Sequence, residues 1–257
     1  MKSYDTVIFD LFNTVALWYP QRMPRYARDG EPRPSTLGLL IERLSELVPE
    51  LSANEFVDAF ETANMQLARE RDATQREFPS RERFRRCLVQ AGLADNAQTA
   101  TVAENLSLLH MSVLREASAV PNSHREFLQH ISNHYGIALI SNFDHADTAN
   151  HILKRDDVIH FFDPLIISES HGWRKPARKI FTDTLELLNL QADQVLFVGD
   201  SFTDDVVGAA NAGIDVAWVN AKGQASPDDA LHPTYTIESI LDLGDILSAA
   251  GHPPSRG

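Results

Sequence analysis

Cysteine is nearly absent: Cys87 stands alone in 257 residues. An internal disulfide and a cysteine-ligated zinc cluster are both excluded, and Cys87 itself reads as a half-buried helix residue. Long apolar runs are missing too. Those such as Val195 to Val198 end after a few residues, where a bilayer crossing needs roughly 20. The opening Met1-Lys2-Ser3-Tyr4 has neither an apolar stretch nor a small-residue cleavage site, so a cytoplasmic protein without an export signal is expected. Positive charge is in deficit, with 23 lysines and arginines against 36 acidic residues and a formal net charge of -13. Such a surface repels nucleic-acid phosphates and anionic lipid. A small-molecule substrate is the expected partner, with no nucleic acid and no membrane; the oligomeric state is not legible.

What is present divides the chain by its grammar. Val7-Ile8-Phe9 is a short buried strand ending at Asp10. Trp18 to Ser35 holds four prolines and Arg22, Arg25, Arg28 and Arg33 with no apolar period, which reads as a solvated linker or long loop. Leu37, Leu40, Ile41, Leu44 and Val48 then recur at helical spacing, and Ser52-Ala53-Asn54-Glu55 is a capping box opening a second helix through Phe56, Phe60 and Leu67. Further helices are expected from about Ser80 to Gly92 and Gln98 to Leu114. The arginines Arg69, Arg71, Arg76, Arg81, Arg83, Arg85 and Arg86 alternate with Glu70, Asp72, Glu77 and Glu82, a pattern of mutual pairing on exposed helix faces.

After Pro121 short apolar strands alternate with helices, the signature of a parallel sheet with crossover helices. Strands are expected at Ile137 to Ile140, Pro164 to Ile167, Val195 to Val198 and Asp215 to Val219. Helices should fill Ser123 to His134, Ala146 to Leu153, Ala177 to Leu188 and Asp204 to Ala212. Tyr235-Thr236-Ile237 suits an edge strand before a last helix. The expected division is a Rossmann-like core of residues 1–17 and 118–250, a linker and helical insert at 18–117, and a flexible tail at 251–257.

Open parallel sheets gather reactive groups beyond the carboxyl ends of their strands. Four such ends carry polar signals: Asp10-Leu11-Phe12-Asn13-Thr14, Ser141-Asn142, Trp173-Arg174-Lys175-Pro176, and Gly199-Asp200-Ser201 with Asp204 and Asp205. One anion-handling site uses all four. A carboxylate attacking phosphorus needs a cation between two anions, and magnesium takes hard oxygens. Asp10 and Asp200 fit as its ligands, with Asp205 anchoring the loop or metal waters. Lys175 supplies a compact positive charge, and Ser141 a hydroxyl for phosphate oxygens. Asp204 reads as the cap of the following helix. Trp18 and Tyr19 either shape the pocket or pack a hinge, and His145 reads as a structural hydrogen-bonding residue.

In order and spacing, Val7 to Thr14, Ile140-Ser141-Asn142, Trp173 to Pro176, and Phe197 through Asp205 to Gly213 resemble the four motifs of the haloacid dehalogenase superfamily. That resemblance implies an α/β fold with a Rossmann-like parallel sheet and a helical cap subdomain inserted after motif one. It also implies a hydrolase with Mg2+ as cofactor. The site residues carried over are Asp10 as nucleophile with Lys175, Ser141 and Asn142 in catalysis. Asp10, the Phe12 carbonyl, Asp200 and Asp205 fall at the metal, and Phe12, Thr14 and Trp18 at the substrate.

One position departs from the phosphatase pattern. The second aspartate, which protonates the leaving group, is Phe12 here. Activity should then favour acyl phosphates, anhydrides or aryl esters, whose leaving groups need no proton. A 2-haloacid dehalogenase branch also has an aromatic residue there, but it resembles this chain poorly at Gly199-Asp200 and needs no metal. The phosphonate-cleaving branch needs a cap lysine, and no lysine lies between Lys2 and Lys154. A small-metabolite phosphatase is therefore expected, with a dehalogenase-like hydrolase or a catalytically weak phosphate-binding regulator as alternatives.

Overall fold

A computed structural model describes residues 2–28, 30–228 and 230–250; the tail expected at 251–257 lies outside the described residues. The chain opens with β1 (Thr6–Phe9), and β2 (Leu17–Trp18), β3 (Arg25–Tyr26) and β4 (Arg33–Pro34) follow. Four helices come next, α1 (Leu37–Leu47), α2 (Ala53–Thr74), α3 (Ser80–Gln90) and α4 (Ala97–Glu116), then β5 (Ser118–Ala119). Alternation begins with α5 (Asn122–Ser132), β6 (Gly136–Ser141), α6 (Ala146–Arg155), β7 (Leu165–Ile167), α7 (Ser168–His171) and α8 (Arg178–Leu188). It ends with β8 (Val195–Gly199), α9 (Val207–Ala212), β9 (Asp215–Val219), β10 (Tyr235–Ile237) and α10 (Leu243–Ala250).

Six strands form one sheet in the order β10-β9-β8-β1-β6-β7, every pair parallel. The first strand is thus central, and its partners come from far along the chain. Burial on both faces explains its unbroken apolar sequence: Val7 and Phe9 enter one core with Leu139 and Val198, while Ile8 enters the other with Ile140 and Phe197. The helices α1 to α4 enclose a separate core of Leu40, Leu44, Phe56, Phe60, Phe84, Leu88 and Leu106. The Ser52 and Glu55 capping box opens α2 as expected.

Several expectations are corrected. The stretch Trp18 to Ser35 is not an unstructured linker: β2 pairs antiparallel with β5, and β3 pairs with β4. Its arginines find partners, Arg22 over the nearby Tyr19 ring and Arg28 beside Asp58 on α2, and strands this short leave no periodic signal. Cys87 is fully buried, and burial pushes its thiol up to about 12. Pro164 lies outside β7, although its carbonyl accepts from Leu139 N. The segment before α9 is a wide π turn, Phe202–Val206, capped by Ser201 rather than Asp204, since Ser201 Oγ accepts from Asp204 N. No helix among the described residues is long and apolar enough to cross a membrane.

Candidate functional site

Parallel register brings the carboxyl ends of β8, β1 and β6 side by side. Phe9 lies opposite Leu139 and Val198, so Asp10 emerges between Ile140-Ser141 and Gly199-Asp200, and Asp10 N bonds to Val198 O at 2.8 Å. Lys175 reaches this point from the β7–α8 connection. Its Nζ donates to Asp10 Oδ1 at 2.6 Å and to Ile140 O at 3.0 Å, and it lies 2.6 Å from Asp205 Oδ1. The last contact is an ion pair at hydrogen-bond distance. Asn142 braces the lysine loop, accepting from Lys175 N at 2.7 Å and donating to Lys175 O at 2.8 Å and Asp204 Oδ2 at 3.1 Å.

Asp10, Asp200 and Asp205 each offer an oxygen within 4.8 Å of the others, and one buried lysine faces all this negative charge. Burial is the main cause that pushes Asp10 up to about 7, reinforced by Asp205 and Asp200 and opposed by Lys175. Asp200 is pushed up to about 6, by burial first and by Asp205 next, against a stabilising hydrogen bond from Asn13. Burial disfavours the Lys175 charge, but Asp10 and Asp205 outweigh it and hold its pKa above the usual lysine value. Hard oxygen donors in surplus over cations suit a divalent ion such as magnesium. The Phe12 carbonyl accepts no hydrogen bond among the described residues.

Two hydroxyls, Ser141 Oγ and Thr14 Oγ1, are buried without a partner among the described residues. Phe12 and Trp18 form an aromatic wall instead, their rings stacked at 5.0 Å and 17°, with Phe143 tilted against Phe12 at 4.7 Å. Trp18 pairs with Ser118 in the β2–β5 ribbon and stacks on Phe12 from there. His145 caps α6, its Nδ1 accepting from Thr148 N, as its structural reading expected.

Other neighbours were not legible. Asn13 adopts a left-handed φ of 58°, which asparagine tolerates, and supports Asp200 from there. Trp218 Nε1 donates to Asp200 O at 3.0 Å. Arg71 and Arg83, expected on exposed faces, turn inward: both bond Asp144 Oδ2, and Arg71 also meets Glu77 Oε1 at 2.7 Å. Their partner lies some 60 to 70 positions away, beyond the reach of helix-face arithmetic. Glu82 with Arg85 and Arg86 does pair locally as expected.

Comparison with known proteins agrees with this geometry. A family model for haloacid dehalogenase-like hydrolases matches residues 4–213. Pyrimidine 5'-nucleotidase YjjG of Escherichia coli (strain K12) is 38% identical over 96 residues, 37% of this chain and 42% of that protein. The YfnB protein of Bacillus subtilis (strain 168) is 25% identical over 252 residues, 96% of this chain and 97% of its own. Among solved structures, 2-haloacid dehalogenase from Pseudomonas syringae pv. Tomato DC3000 superimposes with a TM-score of 0.70 at 19% identity, covering 96% of this chain and 99% of that one. The magnesium-bound YfnB structure gives 0.61 at 22% identity, covering 96% and 100%. Likeness at this identity speaks for the fold, and the family model for membership: the chain belongs to the haloacid dehalogenase-like hydrolases.

Proposed function

We propose that the protein is a magnesium-dependent phosphohydrolase that acts on a small phosphorylated metabolite through Asp10. The observation that carries this reading is the meeting of Asp10, Asp200 and Asp205 around Lys175. A displacement of halide would need no such surplus of carboxylates.

In this reading Lys175 holds Asp10 by Oδ1, leaving Oδ2 to attack phosphorus in line with the leaving oxygen. The Ser141 and Thr14 hydroxyls, unpartnered in the structure, take phosphate oxygens, and the Lys175 charge offsets the charge that develops on them. Asn142 acts by bracing the lysine loop. Magnesium, held by Asp10, Asp200 and the Phe12 carbonyl with Asp205 behind them, would neutralise the repulsion between nucleophile and phosphoryl group. Water then cleaves the aspartyl-phosphate and frees phosphate. Phe12 offers the leaving group no proton, so substrates with stable leaving anions are favoured. The helical unit at 18–117 serves as the cap over a core of 1–17 and 118–250. A lone buried thiol suits a reducing compartment, and we place the protein in the cytoplasm.

The relatives accord with this choice without deciding it: N-acylneuraminate-9-phosphatase of Mus musculus is 26% identical over 62% of this chain. A dehalogenase-like reading draws support from the apolar wall of Phe12, Trp18 and Phe143. Turnover of acyl, aryl and sugar phosphates and of 2-haloacids, each with and without magnesium, separates the two. Phosphate release that needs magnesium and vanishes in Asp10→Asn is the expected result. Halide release without magnesium would replace this proposal with the second, and phosphate binding without any turnover would make the protein a regulator.

A further inference from the structure

A cavity of about 290 Å³ is lined by Arg71, Asp72, Gln75, Arg174, Thr203 and Asp204 together with Lys175, the residue whose ammonium holds Asp10. It sits in the seam where the end of α2 meets the lysine loop, a meeting sealed by backbone bonds from Arg174 N to Gln75 O and from Glu77 N to Gly172 O. The two arginines on its wall differ in how their charge is used. Arg71 gives its guanidinium to Phe78 O, Asp144 and Glu77. Arg174 does not: among the described residues its guanidinium makes no hydrogen bond, and it meets the carboxylates of Glu77 at 3.7 Å and Asp204 at 4.0 Å. The side chain is only 22% exposed.

A guanidinium presents five donors in a planar fork suited to an oxyanion, and losing water without gaining an acceptor is costly. Glu77 and Asp204 orient this fork electrostatically without consuming its N–H groups. The same carboxylates, with Asp72, select among oxyanions. A singly charged carboxylate meets them with less repulsion than a doubly charged phosphoryl group would. Arg174 directly precedes Lys175 and both residues line this cavity, so a small molecule held in it meets both positions.

We infer that Arg174 is a specificity-determining residue that binds a carboxylate on the substrate, whose class is therefore a small phosphorylated carboxylic acid. This rests on the phosphohydrolase reading above. The test is calorimetric binding, in magnesium, of phosphonoacetate, 3-phosphonopropionate and 4-phosphonobutyrate, each against the alkylphosphonate of matching length. Phosphonates are not cleaved, so leaving-group chemistry does not enter.

At least one acid should bind about tenfold to a hundredfold more tightly than its alkyl counterpart, as a charge-assisted hydrogen bond implies. That advantage should vanish in Arg174→Gln and return in part in Arg174→Lys. Alkylphosphonates that bind as well as every acid would overturn the subsite and leave the phosphohydrolase reading standing, the guanidinium then being merely solvated. An undiminished advantage in a folded Arg174→Gln would also overturn it. If no phosphonate binds and halide release is found instead, both readings fall. The wild-type comparison decides even if the variants do not fold.

Discussion

Gly199 has no room for a side chain. A methyl group there would overlap the carboxylate of Asp205, which is held in place by Ser201 N at 2.9 Å. Gly199→Ala should therefore push Asp205 away from Lys175 at a cost of about 1–3 kcal/mol. Magnesium affinity, read by calorimetry, should fall at least about tenfold. Phe12 makes the opposite case, a side chain where the chemistry would profit from another. Phe12→Asp restores a proton donor, so turnover of alkyl phosphates should rise by at least about tenfold and that of aryl phosphates much less. An equal rise in both would show that the missing proton is not what limits the enzyme. Asn13 shows that a residue without a motif of its own can matter here, because its left-handed backbone aims an amide at Asp200.

At the scale of elements, α1, α3 and α4 meet at His110. Arg83 Nη1 lies 3.4 Å from Nε2 and can only donate, so Nε2 accepts and Nδ1 carries the proton toward Thr36 Oγ1 at 2.8 Å. Burial first, and the Arg83 charge next, lower this histidine to about 4 from an ordinary 6.5. The sign follows: between those values the unfolded chain takes up the proton and the folded one does not. Stability from this group is whole above pH 6.5 and is lost as pH falls toward 4, on the order of 2–3 kcal/mol. Urea unfolding at pH 4.5 and pH 7 should show a smaller acid loss in His110→Gln than in the wild type. Equal losses would place His110 in a more polar setting than its contacts indicate.

At the scale of the whole molecule, two sets of long-range contacts matter. One is the ribbon of β2 and β5, clamped by Arg155, which donates to Arg115 O and Ser118 O. The other is the charged seam of Arg71, Arg83, Glu77 and Asp144, with Ser168 Oγ donating to Glu77 at 2.8 Å. Arg76 adds its guanidinium over the Trp173 ring at 4.4 Å. Removing one member of a buried ion cluster leaves the rest unpaired. Asp144→Ala, which leaves Arg83 without a carboxylate and Arg71 with Glu77 alone, should cost about 3–5 kcal/mol in urea denaturation. The same change should lower turnover, because the ion pairs from Asp144 to Arg71 and Arg83 hold the loop that follows Ser141-Asn142. A loss below about 1 kcal/mol would mean that solvent already screens the seam.

Much of this was decided along the chain alone. Unbroken apolar runs that alternate with helices suit buried parallel strands, a capping box starts α2 wherever that helix lies, and polar strand ends converge because a parallel sheet points them the same way. Asp10, Lys175 and Asp200 were legible for that reason. Contacts between residues distant in sequence were not, since local periodicity carries no information about what a side chain meets across a seam. Arg71 and Arg83 follow the helical spacing of surface residues, and only the packing of α2 and α3 on the loop after β6 turns them inward to Asp144. The ribbon partners Leu17–Trp18 and Ser118–Ala119 are too short to pattern, and Arg174 looks like any other motif residue until the fold leaves its guanidinium without an acceptor.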